Sequence, residues 1–232
     1  MRREVGAAGR SAPLIRECLL ARLAGPLPGA SAHRSVWPER LGRRVTLHDA
    51  AGYADASVLI ALHHTANGIR FPLIKRPEAM RKHPGQVALP GGRCEAGESG
   101  VDCALREARE EIGLEPGLVE ILGQLTPVPV GDSRFLITPV VAWVASTPTW
   151  SARAGEVETI FEADPDLLAR EGPRLSIRRN RGGVTLEVPA YAVNHTEPGE
   201  TPVTRQFEVW GATALMLAEF LAVWRDCRGS SL

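Results

Sequence analysis

Glu107, Glu110 and Glu111 stand at i, i+3 and i+4 within Arg106-Glu107-Ala108-Arg109-Glu110-Glu111-Ile112-Gly113-Leu114. On a helix that spacing puts all three carboxylates on one face. An isolated acidic triplet is ordinarily a solvated helix face, but three like charges so close repel one another unless cations sit among them. Magnesium or manganese meets that need, because hard divalent ions prefer carboxylate oxygens, retain water and bridge to phosphate oxygens. The segment upstream, Leu73 to Gly92, carries Arg76, Arg81 and Lys82. These cations suit a phosphorylated ligand that needs positive charge beyond what metals supply.

The elements that must position these groups are legible around them. Ser99, followed by Asp102, is a helix start signal and Gly113 a left-handed stop, so the spacing predicts a helix from about Gly100 to Ile112. Ala104, Leu105, Ala108 and Ile112 form its core-facing side. Ser57 to His63 and Phe71 to Ile74 read as strands joined through Asn67-Gly68; Val119 to Leu125, Leu136 to Ala145 and Val184 to Val193 are further strands. Ala212 to Trp224 is helical in pattern, and Arg170 to Gly183, rich in Arg and Gly, reads as a surface loop. This order fits a mixed sheet covered by helices better than a Rossmann repeat.

Residues 13–24 place Leu14, Ile15, Cys18, Leu19 and Leu23 at helical spacing before a Gly/Pro/Ser-rich stretch from Gly25 to Ser35. Residues 1–35 are therefore expected to form an accessory helix and linker, and residues 36–232 the main domain. A chain of 232 residues with 44% hydrophobic content can bury one substantial core. Lys plus Arg and Asp plus Glu number 27 each, which gives no support to a nucleic-acid-coating or membrane-surface protein. Cys18, Cys94, Cys103 and Cys227 show neither a C-x-x-C pair nor a secreted disulfide framework, and a reducing cytosol is the simplest reading. No apolar run is long enough to span a membrane. A lone histidine is more often a hydrogen-bonded residue than a catalyst, so His83 and His195 stay outside the catalytic set, and Trp37, Trp143, Trp150 and Tyr191 read as packing residues.

Gly92 to Glu98, then seven residues, then Arg106 to Leu114 resembles without departure the Nudix box, G-x5-E-x7-R-E-U-x-E-E-x-G-U, where U is apolar. The upstream segment resembles L-L-T-x-R-[SA]-x3-R-x3-G-x3-F-P-G-G, the signature of coenzyme A diphosphatases within that family. Arg76, Arg81, Gly85, Pro90, Gly91 and Gly92 fall in register; Pro72, Ile74, Pro77 and Leu89 depart from it. The W-G-x-T-A segment common in that subfamily resembles Trp210-Gly211-Ala212-Thr213-Ala214.

The resemblance implies an α/β fold, the Nudix α/β/α sandwich with a mixed β-sheet between helices. It implies Mg2+ or Mn2+ as cofactor, with Glu107 and Glu111 as central metal ligands, Glu110 as a supporting ligand and the Gly91 carbonyl completing the shell. Glu98 and Arg106 are expected as a scaffold pair, and Glu156, in Gly155-Glu156-Val157, as an additional ligand or the general base. Arg76, Arg81 and Lys82 are the expected substrate-binding residues. The implied activity is hydrolysis of coenzyme A to 4′-phosphopantetheine and adenosine 3′,5′-bisphosphate in the cytoplasm. The alternatives are a Nudix pyrophosphatase acting on ADP-ribose, NADH or another nucleoside diphosphate derivative, or a non-catalytic nucleotide-binding module. The expected partner is a small-molecule nucleotide, with no nucleic acid and no membrane, and at most a second copy of the chain.

Overall fold

The computed structural model describes residues 7–37, 44–80, 83–181, 183–197 and 202–229. Strand β1 (Ala54–Thr65) lies inside the sheet. Val58, Ile60 and Leu62 enter one apolar cluster while Leu59 and Ala61 enter the other, the period of two that a strand covered on both faces requires. From Thr65 the chain turns at Asn67-Gly68 into β2 (Gly68–Lys75), antiparallel to β1. On the other side of β1 runs β7 (Phe135–Val144), parallel to it, and β5 (Val119–Gln124) pairs antiparallel with β7.

Short strands complete the layer: β3 (Val87–Ala88) and β8 (Thr159–Ala163) on β2, β4 (Gly91–Arg93) on β1, and β6 (Val128–Val130) on β7. Parallel and antiparallel pairs coexist, so the sheet is mixed. Helix α2 (Gly100–Ile112) covers one face through Ala104, Ala108 and Ile112, which share a cluster with Leu59, Ala61, Val140 and Ala142. Helices α1 (Ala7–Leu23) and α4 (Gly211–Arg228) contribute Ile15, Leu19, Leu217, Phe220 and Trp224 to the opposite cluster, with Ile60, Leu62, Phe71 and Leu73. Each such fully buried side chain contributes roughly 1.5–3 kcal/mol relative to exposure. The result is the expected α/β/α sandwich.

Two expectations need correction. The stretch from Arg170 to Gly183 is not a loop throughout: it holds the end of α3 (Pro165–Glu171) and all of β9 (Leu175–Arg181). Strand β9 pairs with β10 (Val184–Glu197), which pairs with β11 (Val203–Val209), in a separate three-stranded antiparallel sheet. The arginines that suggested a loop belong to a two-faced strand, with Ile177 on the packed side. The cysteine spacing likewise gave no hint that Cys18 of α1 and Cys227 of α4 form a disulfide, with Cα atoms 5.6 Å apart. An ion pair between Arg22 and Asp226, 2.6 Å, spans the same helix interface.

The chain between α1 and β1 is tied to the core. A 3-10 helix at Gly29–Ser35 buries His33, which contacts Arg44. The buried Glu219 carboxylate accepts the Gly29 N–H at 2.8 Å and the Thr126 hydroxyl at 2.7 Å. Among the described residues no helix is long and apolar enough to cross a membrane.

Candidate active site

Helix α2 starts and stops where its signals place it. The Ser99 hydroxyl accepts the Asp102 N–H at 3.1 Å, and Gly113 takes φ 71° while its N–H donates to the Ala108 and Arg109 carbonyls. With both ends fixed, the carboxylate face of α2 meets β4. Gly91 pairs with Val58 of β1, and a Cβ at Gly91 would lie 2.6 Å from the Val58 Cα. At Gly92 a Cβ would lie 2.5 Å from the Glu107 Cδ. Bare backbone alone fits between strand and helix, which lets the Gly91 N–H donate to Glu111 Oε2 at 2.9 Å.

Glu111 is 3% exposed. Burial pushes its carboxyl up to about 7; the Gly91 hydrogen bond and Arg76 oppose that shift, and Glu107 and Glu156 reinforce it. Among the described residues its nearest cation is Arg76, with Nη1 3.9 Å from Oε1. A buried carboxylate so poorly compensated, beside a second carboxylate and a carbonyl-bearing glycine turn, is a hard-oxygen donor set that suits magnesium or manganese.

Glu107 accepts from Arg106 Nη1 at 2.8 Å. The same guanidinium donates to both Glu98 oxygens, at 2.9 and 3.0 Å, and to the Arg93 carbonyl at 3.1 Å. Hydrogen bonds from Arg106 first, and from the Glu95 backbone second, hold the Glu98 carboxyl down to about 2. The pair braces the loop before α2 against the helix.

Glu110 lies between two guanidinium groups, that of Arg153 at 2.8 Å and that of Arg106, which also holds Glu107, at 3.6 Å; Glu156 lies 3.5 Å from Arg153. The structure thus brings Glu107, Glu111, Gly91 and Arg76 together and gathers Glu110 and Glu156 around Arg153. Arg81 and Lys82 lie outside the described residues. Arg153 is the charged neighbour that sequence reasoning did not single out, although it lies two residues before Gly155-Glu156-Val157. Among the described residues, the donors that approach within 4.8 Å as a group of three are instead Cys94, Glu98 and Cys103. That set fits a hard cation poorly: Glu98 is occupied by Arg106, and burial raises both thiols, leaving them protonated.

Residues 55–172, from the start of β1 to just beyond α3, match the NUDIX domain family. The chain belongs to the Nudix family. It is 31% identical over 181 residues to Nudix hydrolase 3 of Caenorhabditis elegans, covering 75% of each chain. It is 44% identical over 151 residues to an uncharacterized Nudix hydrolase, NudL, of Enterobacter sp. (strain 638), covering 63% of this chain and 71% of that one. Among solved structures, a Nudix hydrolase from M. smegmatis, RenU, is similar with a TM-score of 0.44 and 21% identity, over 51% of this chain and 74% of the other. The protein is a Nudix hydrolase, and α2 carries its Nudix box. Strands β9 to β11 and helix α4 lie beyond the matched Nudix stretch.

Proposed function

We propose that this Nudix hydrolase cleaves the diphosphate of coenzyme A or its derivatives, releasing 4′-phosphopantetheine and adenosine 3′,5′-bisphosphate. The observation that carries this reading is Arg76. It belongs to the coenzyme A-type signature, and its guanidinium stands 3.9 Å from the Glu111 carboxylate. A planar, permanently charged fork at that point can grip a phosphate oxygen as the diphosphate enters.

Glu107, Glu111 and the Gly91 carbonyl would hold the divalent ion, with Glu110 as a supporting ligand. When bound, magnesium or manganese neutralises the diphosphate and makes water a competent nucleophile at phosphorus. Arg76 binds and orients the phosphate, joined in this reading by Arg81 and Lys82. The Glu98–Arg106 brace keeps the glycine turn at contact distance from α2. Glu156 is the additional ligand or the group that accepts the water's proton, and Arg153 balances its charge against that of Glu110.

A panel of coenzyme A, dephospho-coenzyme A, ADP-ribose and NADH, each with magnesium or manganese and read by product mass, tests the proposal. Coenzyme A should give the highest kcat/KM. With Arg76 at the diphosphate, Arg76→Gln should lower that value by about ten- to over a hundredfold for coenzyme A and dephospho-coenzyme A alike, since a charge-assisted contact is worth roughly 1.5–3 kcal/mol; a loss confined to coenzyme A would place Arg76 at the ribose phosphate instead. ADP-ribose turned over far faster than either coenzyme A form would overturn the substrate assignment.

A further inference from the structure

A cavity of about 460 Å3 has two walls that come from different parts of the chain. One wall is the turn that carries Gln86 and Val87, directly before the glycines of the site; the other carries Arg179 of β9, Glu208 of β11 and Trp210. The second wall lies wholly beyond residues 55–172, the stretch shared with the family at large.

One residue links the cavity wall to the carboxylates. The Arg76 N–H donates to the Gln86 carbonyl at 3.0 Å, and the Arg76 guanidinium reaches to 3.9 Å from Glu111. A single arginine side chain therefore separates the cavity wall from the phosphate end of the site. A ligand whose diphosphate lies at Arg76 can place its next group in the cavity.

The lining specifies the kind of group. Arg179 Cζ lies 4.6 Å from the centroid of the half-buried Trp210 ring, a guanidinium over an aromatic face. Flat heteroaromatic rings stack on both kinds of plane. Among the described residues the charged lining is Glu78, Glu208 and Arg179, with Glu208 paired to Arg179 at 3.0 Å. One cation against two carboxylates disfavours a phosphate and suits a neutral ring bearing an N–H donor. Gln86 adds a carboxamide: its Oε1 lies 3.1 Å from His83 Nδ1, and its NH2 group can donate to a ring nitrogen at the edge of adenine.

We propose that this cavity is the base subsite of the enzyme and takes the adenine ring of the substrate, stacked at Trp210 and Arg179 and read at its edge by Gln86. The proposal rests on the reading that the substrate is a nucleoside diphosphate derivative, but its test needs no turnover. Binding of adenosine 5′-monophosphate and of ribose 5-phosphate to the metal-free, full-length protein is compared by isothermal titration calorimetry. The nucleotide should bind at least about tenfold more tightly, the share expected of one stacked base. Trp210→Leu should abolish most of that difference and Trp210→Phe should keep most of it.

Trp210 also packs against the small apolar cluster of Ile177 and Val188, so Gln86→Ala on the opposite wall supplies a second variant, with thermal melting as the folding control for both. Gln86→Ala should narrow the difference by severalfold. Equal affinity for the two ligands, or a difference that survives both Trp210→Leu and Gln86→Ala in folded protein, overturns the proposal. Base-dependent binding without hydrolysis of any nucleoside diphosphate derivative would remove the proposed activity and leave the subsite standing.

Discussion

Replacing Gly92 by alanine adds one methyl group, and the structure says where it goes. The new Cβ would lie 2.5–2.6 Å from the three atoms of the Glu107 carboxyl group, whereas carbon atoms in contact normally stand about 3.5–4.0 Å apart. The carboxylate must therefore retreat by about 1 Å. It is the far end of a flexible side chain, and Gly92 is not among the glycines with positive φ, so the backbone can accept alanine. Stability should fall by about 1 kcal/mol or less, while misplacement of a reacting group by 1 Å costs on the order of a hundredfold in rate.

Turnover of the best substrate at saturating magnesium, with a melting curve beside it, checks this: kcat should drop by about two orders of magnitude at nearly unchanged Tm. Gly91→Ala is the contrast. Its Cβ would strike the β1 backbone at φ 154°, so that variant should lose the fold along with the activity. Gly92→Ala with wild-type kcat and wild-type magnesium dependence would refute the assignment of Glu107 to the site.

Glu107→Gln and Glu111→Gln should each lower kcat by more than about a hundredfold in folded protein, and Glu110→Gln by less, since the Glu110 carboxylate is already paired with Arg153 and Arg106; steady-state kinetics with circular dichroism decides. Reduction of Cys18–Cys227, or Cys18→Ser, opens a loop with 209 residues of sequence separation, worth at most about 5 kcal/mol by chain entropy and roughly 10–20 °C in Tm; calorimetry with and without reductant should show a large share of that shift, with kcat measured at 25 °C unchanged. Burial, and Arg44 second, depress His33 to about 4, so the unfolded chain takes up that proton first as pH falls. Its contribution is intact above pH 6.5 and is lost as pH drops toward 4, by at most about 3 kcal/mol. Urea melts at pH 7 and pH 4.5 should show less loss of stability for His33→Gln than for wild type.

The catalytic helix was legible almost to the residue because its information is local. Ser99 and Gly113 mark its ends through their own backbone preferences, and the three glutamates share a face by helical geometry alone. Strand β1 announced itself through a run of side chains buried on both faces. What the sequence hid depends on partners distant in the chain. Leu175 to Arg181 resembles a polar loop until β10 supplies its hydrogen bonds and a packed side for Ile177. Cys18 and Cys227 carry no spacing signal, because nothing within 200 residues of either indicates that α1 and α4 meet. Arg153 reaches Glu110, 43 positions earlier, only after the loop following β7 folds back over α2.

The bond between Cys18 and Cys227 turns nearly the whole chain into a covalent ring, with the Nudix box and every strand of both sheets inside it. A ring must be cut twice before it yields two separate pieces. A protease that nicks one exposed turn, such as the one at Asp132 to Arg134 between β6 and β7, leaves the fragments tethered and able to re-dock. On a denaturing gel the nicked protein would run as one band near its full mass until reductant is added, and only then as two.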